Sequence, residues 1–183
     1  MLNSLDSIVI VAISCIMVAA VCTDLRSRKI PNRLTFSAIV FMLAYYSTAY
    51  GLAGCWFSVK GLLLGTGILL PVYLMGGVGA GDAKLMGAVG AALGMKGVFT
   101  VFLFTAVIGG LYALVLMLFR YKQCKELLER SALMMKVLVY SKRFVFISGA
   151  QNGNAPKLCY AIPIATGTAG AVVWRLAYSS YFI

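Results

Sequence analysis

SIVIVAISCIMVAAVCT (residues 7–23) runs without interruption into DLRSRKIPNR (residues 24–33). The first stretch carries no charge over 17 residues, close to the roughly 20 apolar residues that a helix needs to cross ~30 Å of hydrocarbon. The second opens on an acid and holds Arg26, Arg28, Lys29 and Arg33, the basic block expected on the cytoplasmic side of a span. The rest of the chain repeats the theme. Further apolar runs occupy residues 34–50, 59–76, 83–95, 98–119 and 158–178. Over all 183 residues, 62% are hydrophobic and 11% charged, and the mean hydropathy is +0.94. Soluble domains carry roughly 25% charged residues, so this composition belongs in a bilayer. The expectation is an all-α polytopic membrane protein: a bundle of about six transmembrane helices forming one integral-membrane domain over residues 1–183.

Charge placement gives the topology. A second basic connection, residues 120–157, carries Arg120, Lys122, Lys125, Arg130, Lys136, Lys142, Arg143 and Lys157. Twelve of the 16 Lys and Arg residues thus lie in two loops, both expected to be cytoplasmic, with both termini outside. The formal charge of +11 therefore reflects topology, and no nucleic-acid partner is expected. Within the long loop, Cys124, Leu127, Leu128, Ser131, Met134, Met135 and Leu138 recur at helical spacing, which predicts a cytoplasmic amphipathic helix at the interface. The N-terminus lacks the positive start of a cleaved secretory signal, so the first run is expected to stay as an anchor. Pro71 and Pro163 fall within runs and are expected to mark kinks or locally freed carbonyls. Gly61 and Gly65, like Gly90 and Gly94, have the spacing that lets helices approach closely. Trp174, Arg175, Tyr178 and Tyr181 fit an interfacial belt.

The inventory of reactive groups is short. The chain has no histidine, which excludes Ser-His and Cys-His catalysis and imidazole metal sites. Cys15, Cys22, Cys55, Cys124 and Cys159 are scattered without a C-x-x-C pair and read as small hydrophobes, so no metal and no cofactor are expected. Five carboxylates remain. Glu126 and Glu129 belong to the loop helix and Asp6 to the outer end, leaving Asp24 and Asp82 at the cytoplasmic ends of the first and fourth runs. The fourth run is short for a span, which places Asp82 slightly inside the membrane.

Two carboxylates at one depth can share a proton, so that one acts as base while the other acts as acid. This suits peptide hydrolysis. The plainer alternative is that Asp24 pairs with Arg26 or Arg28 and Asp82 caps its helix. Residues 76–81, GGVGAG, have little bulk and would let a peptide backbone approach. No G-K-[ST] follows them, so a phosphate loop is set aside.

Gly79-Ala80-Gly81-Asp82-Ala83-Lys84-Leu85 resembles the GxGDxKL motif of type IV prepilin peptidases, and Asp24 followed by Ile30-Pro31-Asn32 resembles that family's other motif. The resemblance runs over roughly residues 7–119. It implies a membrane aspartyl protease of the bacterial inner membrane with Asp24 and Asp82 catalytic at the cytoplasmic face. Gly79, Gly81, Lys84, Pro31 and Asn32 would then bind substrate or shape the site, and prepilins or pseudopilins would be the partners. The cytoplasmic insertion with paired cysteines that many members carry is not seen, which is similar to the short, peptidase-only form of tight-adherence (Flp) pili. Relatives commonly carry Pro-aromatic-Gly in the last span, whereas Pro163 is followed here by Ile164 and Ala165. A small transporter or channel using two intramembrane aspartates is the competing class, and a structural scaffold the third.

Overall fold

A computed structural model describes residues 4–74, 78–119 and 160–179. These residues are helical almost throughout, in four elements: α1 (Ser4–Ser27), α2 (Asn32–Leu74), α3 (Ala80–Phe119) and α4 (Ala161–Ser179). Of these, α1, α2 and α3 are long and apolar enough to cross a membrane, and α4 is a shorter apolar helix. The amphipathic helix expected within residues 120–157, Tyr181 and the start of the glycine-rich stretch lie outside the described residues.

The two longest helices are each broken by one glycine. Gly51 in α2 has φ 61° and Gly94 in α3 has φ 71°, a region open to glycine and strained for other residues. At Gly51 the chain turns back on itself. In a continuous helix Tyr46 and Phe57 would be roughly 16 Å apart along the axis, yet their ring centroids are 5.1 Å apart. At Gly94 the chain also reverses. Beyond it Thr105 packs on Gly167, and Gly109 faces Tyr160 at 3.2 Å from where its Cβ would lie, so residues 95–119 run antiparallel to α4 and return toward its first turn.

The segment 83–94 is the centre of the molecule. Apart from Lys84, every residue in it is buried, with Leu85, Met86, Val89 and Ala91 fully enclosed. That explains a sequence with no polar stripe, since a helix packed on all sides needs none. Its contact with α2 is backbone on backbone: Gly61 meets Gly90 and Gly94, and Gly65 meets Met86 and Gly87. The small-residue spacing therefore serves close approach, and two hydroxyls, one buried and one half-buried, fasten it. Ser58 donates to the Ala91 carbonyl at 2.9 Å, and Tyr46 to that of Ala92 at 2.7 Å. Large apolar side chains such as Val18, Phe36, Leu63 and Val107 point outward, as a lipid-facing surface requires.

The helix breaks fall at glycines, and Pro71 within α2 leaves only a carbonyl without its intrahelical donor. α2 departs from helical geometry at Gly51 and not at Pro71. Pro163 lies in the first turn of α4, where its missing N–H has no intrahelical partner to lose, so it marks a start.

Candidate active site

Asp24 lies one turn before the end of α1, which stops in a left-handed C-cap: Arg28 has φ 49°, and its N–H donates to the Asp24 carbonyl at 2.7 Å. The link then turns through Lys29, Ile30 and Pro31. Pro31 opens α2, its carbonyl accepting from the N–H groups of Leu34 (3.1 Å) and Thr35 (3.4 Å), while the Thr35 hydroxyl donates to the Asn32 carbonyl at 3.2 Å. A proline suits that position because no donor is needed there.

α3 starts beside it. The Gly79 carbonyl accepts from the N–H groups of Asp82 (3.1 Å) and Ala83 (3.3 Å), and the Gly79 N–H donates to Asp82 Oδ2 at 3.1 Å. This is the reciprocal half of a capping box, so the capping role suggested by sequence is real and occupies one oxygen. The other oxygen is not used in this contact. Two contacts join the motifs. Gly81 packs on Ile30, whose Cβ lies 3.1 Å from where a Gly81 Cβ would stand, and Lys84 Nζ donates to Asn32 Oδ1 at 2.9 Å. Lys84 is thus engaged with Asn32 at this end.

The first turn of α4 closes the site from a third side. The Ala161 backbone N–H faces the Asp24 carboxyl, and the charge of Asp82 reaches the Tyr160 hydroxyl. Asp24 is 6% exposed and Asp82 8%, and the two carboxyls lie within electrostatic reach of each other. Arg28 also faces Asp24 electrostatically. Asp24 Oδ2 is fully buried and meets no hydrogen-bond donor among the described residues. An orphaned carboxylate oxygen beside a second acid is costly and suits a shared proton or a bound water. No group of three or more acidic, Cys or His side chains gathers among the described residues.

All seven residues expected from the sequence, Asp24, Pro31, Asn32, Gly79, Gly81, Asp82 and Lys84, come to one end of the bundle, joined by these contacts. Sequence reasoning missed Ile30 as the surface against which Gly81 packs, and Tyr160 and Ala161 as the third wall. The one available signal for the latter was Pro163, which placed a helix start just before it.

The model of the type IV leader peptidase family matches residues 11–114, a stretch that contains both aspartates and ends before α4. The prepilin leader peptidase/N-methyltransferase of Bacillus subtilis (strain 168) is 34% identical over 108 residues, covering 56% of this chain and 42% of that protein. The chain therefore spans about two fifths of the length of this relative. No solved structure matches.

Proposed function

The chain belongs to the type IV leader peptidase family, and from that premise we propose that it is a membrane aspartyl endopeptidase removing the leader from prepilins or pseudopilins. Asp24 and Asp82 are the proposed catalytic pair. The observation that carries this reading is the placement of two buried carboxyls from different helices within electrostatic reach of each other, one with an oxygen that no donor among the described residues satisfies. One carboxylate takes a proton from water as it attacks the peptide carbonyl, and the other, protonated, hydrogen-bonds the carbonyl oxygen and then protonates the leaving amine. A closely coupled pair titrates jointly, so the two roles belong to the dyad. The reaction needs no metal.

The proposed setting is the bacterial inner membrane, with the whole chain as one domain and the site facing the cytoplasm. The basic link at residues 24–33 supports this orientation. Six spans are proposed, because the reversals at Gly51 and Gly94 divide α2 and α3 into two passes each beside α1 and α4. Both termini then lie outside. Within the family, the short form serving Flp-type pili is the proposed subgroup. The test is incubation of the purified chain with Flp-type prepilin in detergent, with and without EDTA. Removal of the leader in both conditions is expected. No cleavage of any prepilin would overturn the peptidase assignment, and loss in EDTA restored by a divalent cation would recast the aspartates as metal ligands.

A further inference from the structure

Four cations lie outside the two basic connections: Lys60, Lys84, Lys96 and Arg175. Lys84 is held by Asn32 beside the aspartates. The other three come from α2, α3 and α4, yet all line one open cavity of about 1060 Å³. Its position is the opposite end of the bundle, where α1 begins, α4 ends and both glycine reversals occur.

The hollow follows from unequal helix lengths. The first half of α3 stops at Gly94, against the ring of Phe57, whereas its partner in α2 continues to Gly51, six residues and so about 9 Å further. α1 contributes Val9 and Ile10 to the wall, and α4 contributes Ala171, Val172 and Trp174. The result is a recess sunk below the rim of the bundle, apolar on its sides, with three exposed cations around it. Cations within a membrane's thickness are costly unless a counter-charge reaches them. Asp24 and Asp82 are at the far end. Among the described residues the remaining acid is Asp6, in the first turn of α1.

We propose that this recess binds an anionic phospholipid from the adjoining leaflet. Its phosphate sits among Lys60, Lys96 and Arg175, and its acyl chains run along the wall formed by Trp56, Phe57 and Trp174. Charge complementarity selects the anionic headgroup, and the apolar walls select a lipid over a soluble anion. This site rests on the fold and is independent of the peptidase reading.

The test uses the full chain in detergent, with retained ligand read by native mass spectrometry and stability by melting temperature. Phosphatidylglycerol, phosphatidylcholine and inorganic phosphate are the three probes. Phosphatidylglycerol should be retained and should raise the melting temperature, while the other two at equal concentration should not. The triple variant K60Q/K96Q/R175Q should bind phosphatidylglycerol about a hundredfold more weakly. K29Q/R33Q, which removes charge at the other end, should bind as the parent does. K96Q read against K96R gives the same comparison should the triple variant not fold, with K96R retaining binding. Equal retention by parent and charge-removed variants, equal binding of phosphatidylcholine, or an equal loss in K29Q/R33Q would overturn the site. Inorganic phosphate binding as tightly as the lipid would overturn the lipid assignment. A D6N variant with unchanged lipid binding is expected, and abolished binding would show that Asp6 organises the recess in place of the three cations.

Discussion

Gly81→Ala adds one methyl group beside the proposed dyad, and the structure fixes where it must go. Its Cβ would stand 3.1 Å from Ile30 Cβ and 3.6 Å from both Ile30 Cγ1 and the Ile30 backbone nitrogen. Carbon atoms pack at about 3.5–4.0 Å, so the first turn of α3 and the α1–α2 link must part by about half an ångström. Ile30 has little freedom to yield: it is buried, and the link around it is held by the Arg28 cap and the Pro31 helix start. Overpacking by a single methyl costs about 1 kcal/mol, at the low end of its range. The effect on chemistry is larger, because Asp82 is the next residue and Asp24 lies before the same link. If about 1 Å of misplacement costs about a hundredfold in rate, half that costs about tenfold. Purified Gly81→Ala should therefore cleave prepilin about tenfold more slowly, with the loss in kcat and only a small fall in melting temperature. Gly67→Ala is the control, since a methyl there meets nothing within 4 Å. Wild-type kcat and wild-type stability in Gly81→Ala would refute the claim that this contact sets the spacing of the two acids.

Three further outcomes are expected. Lys84→Met and Asn32→Ala each remove the same 2.9 Å hydrogen bond, so their effects on kcat should not add, and the double variant should match the weaker single; additive losses would show that the two side chains act separately. Gly61→Ala should destabilise by about 3 kcal/mol, because its methyl would strike the Gly90 carbonyl and backbone cannot rotate away, whereas Gly110→Ala should change stability by less than about 1 kcal/mol; equal unfolding midpoints would contradict the close crossing of α2 and α3. Ser27→Cys, at the exposed end of α1, should react with impermeant thiol reagents from the cytoplasmic side only, measured against a parent lacking all five native cysteines, and labelling from outside would invert the topology.

The acids were legible because the inventory is so small: with five carboxylates and no histidine, Asp24 and Asp82 stand out by position in the chain alone. Their neighbours Asn32 and Lys84 could be named from motif, yet their hydrogen bond joins residues 52 apart, and nothing in local sequence specifies a long-range pair. The limits of the apolar runs near residues 50 and 95 fell close to Gly51 and Gly94, but the reversals themselves were not foreseen. A proline advertises its missing donor in any sequence, whereas a glycine shows its positive φ only once the chain is folded, so kinks or freed carbonyls were expected at Pro71 and Pro163 and the reversals at the glycines were not. Ala161 was invisible for a related reason. Its contribution is a backbone N–H at a helix start, a group that every residue but proline carries.

The central claim is that Asp24 and Asp82 act together on the scissile peptide, and the most direct measurement is leader cleavage by Asp24→Asn and Asp82→Asn at matched membrane levels. Asparagine keeps the shape of the side chain and cannot exchange the proton. Each variant should insert and fold as the parent does and leave prepilin unprocessed, a loss of about a thousandfold or more, while Asp6→Asn processes normally. Full processing by either dyad variant would contradict the account.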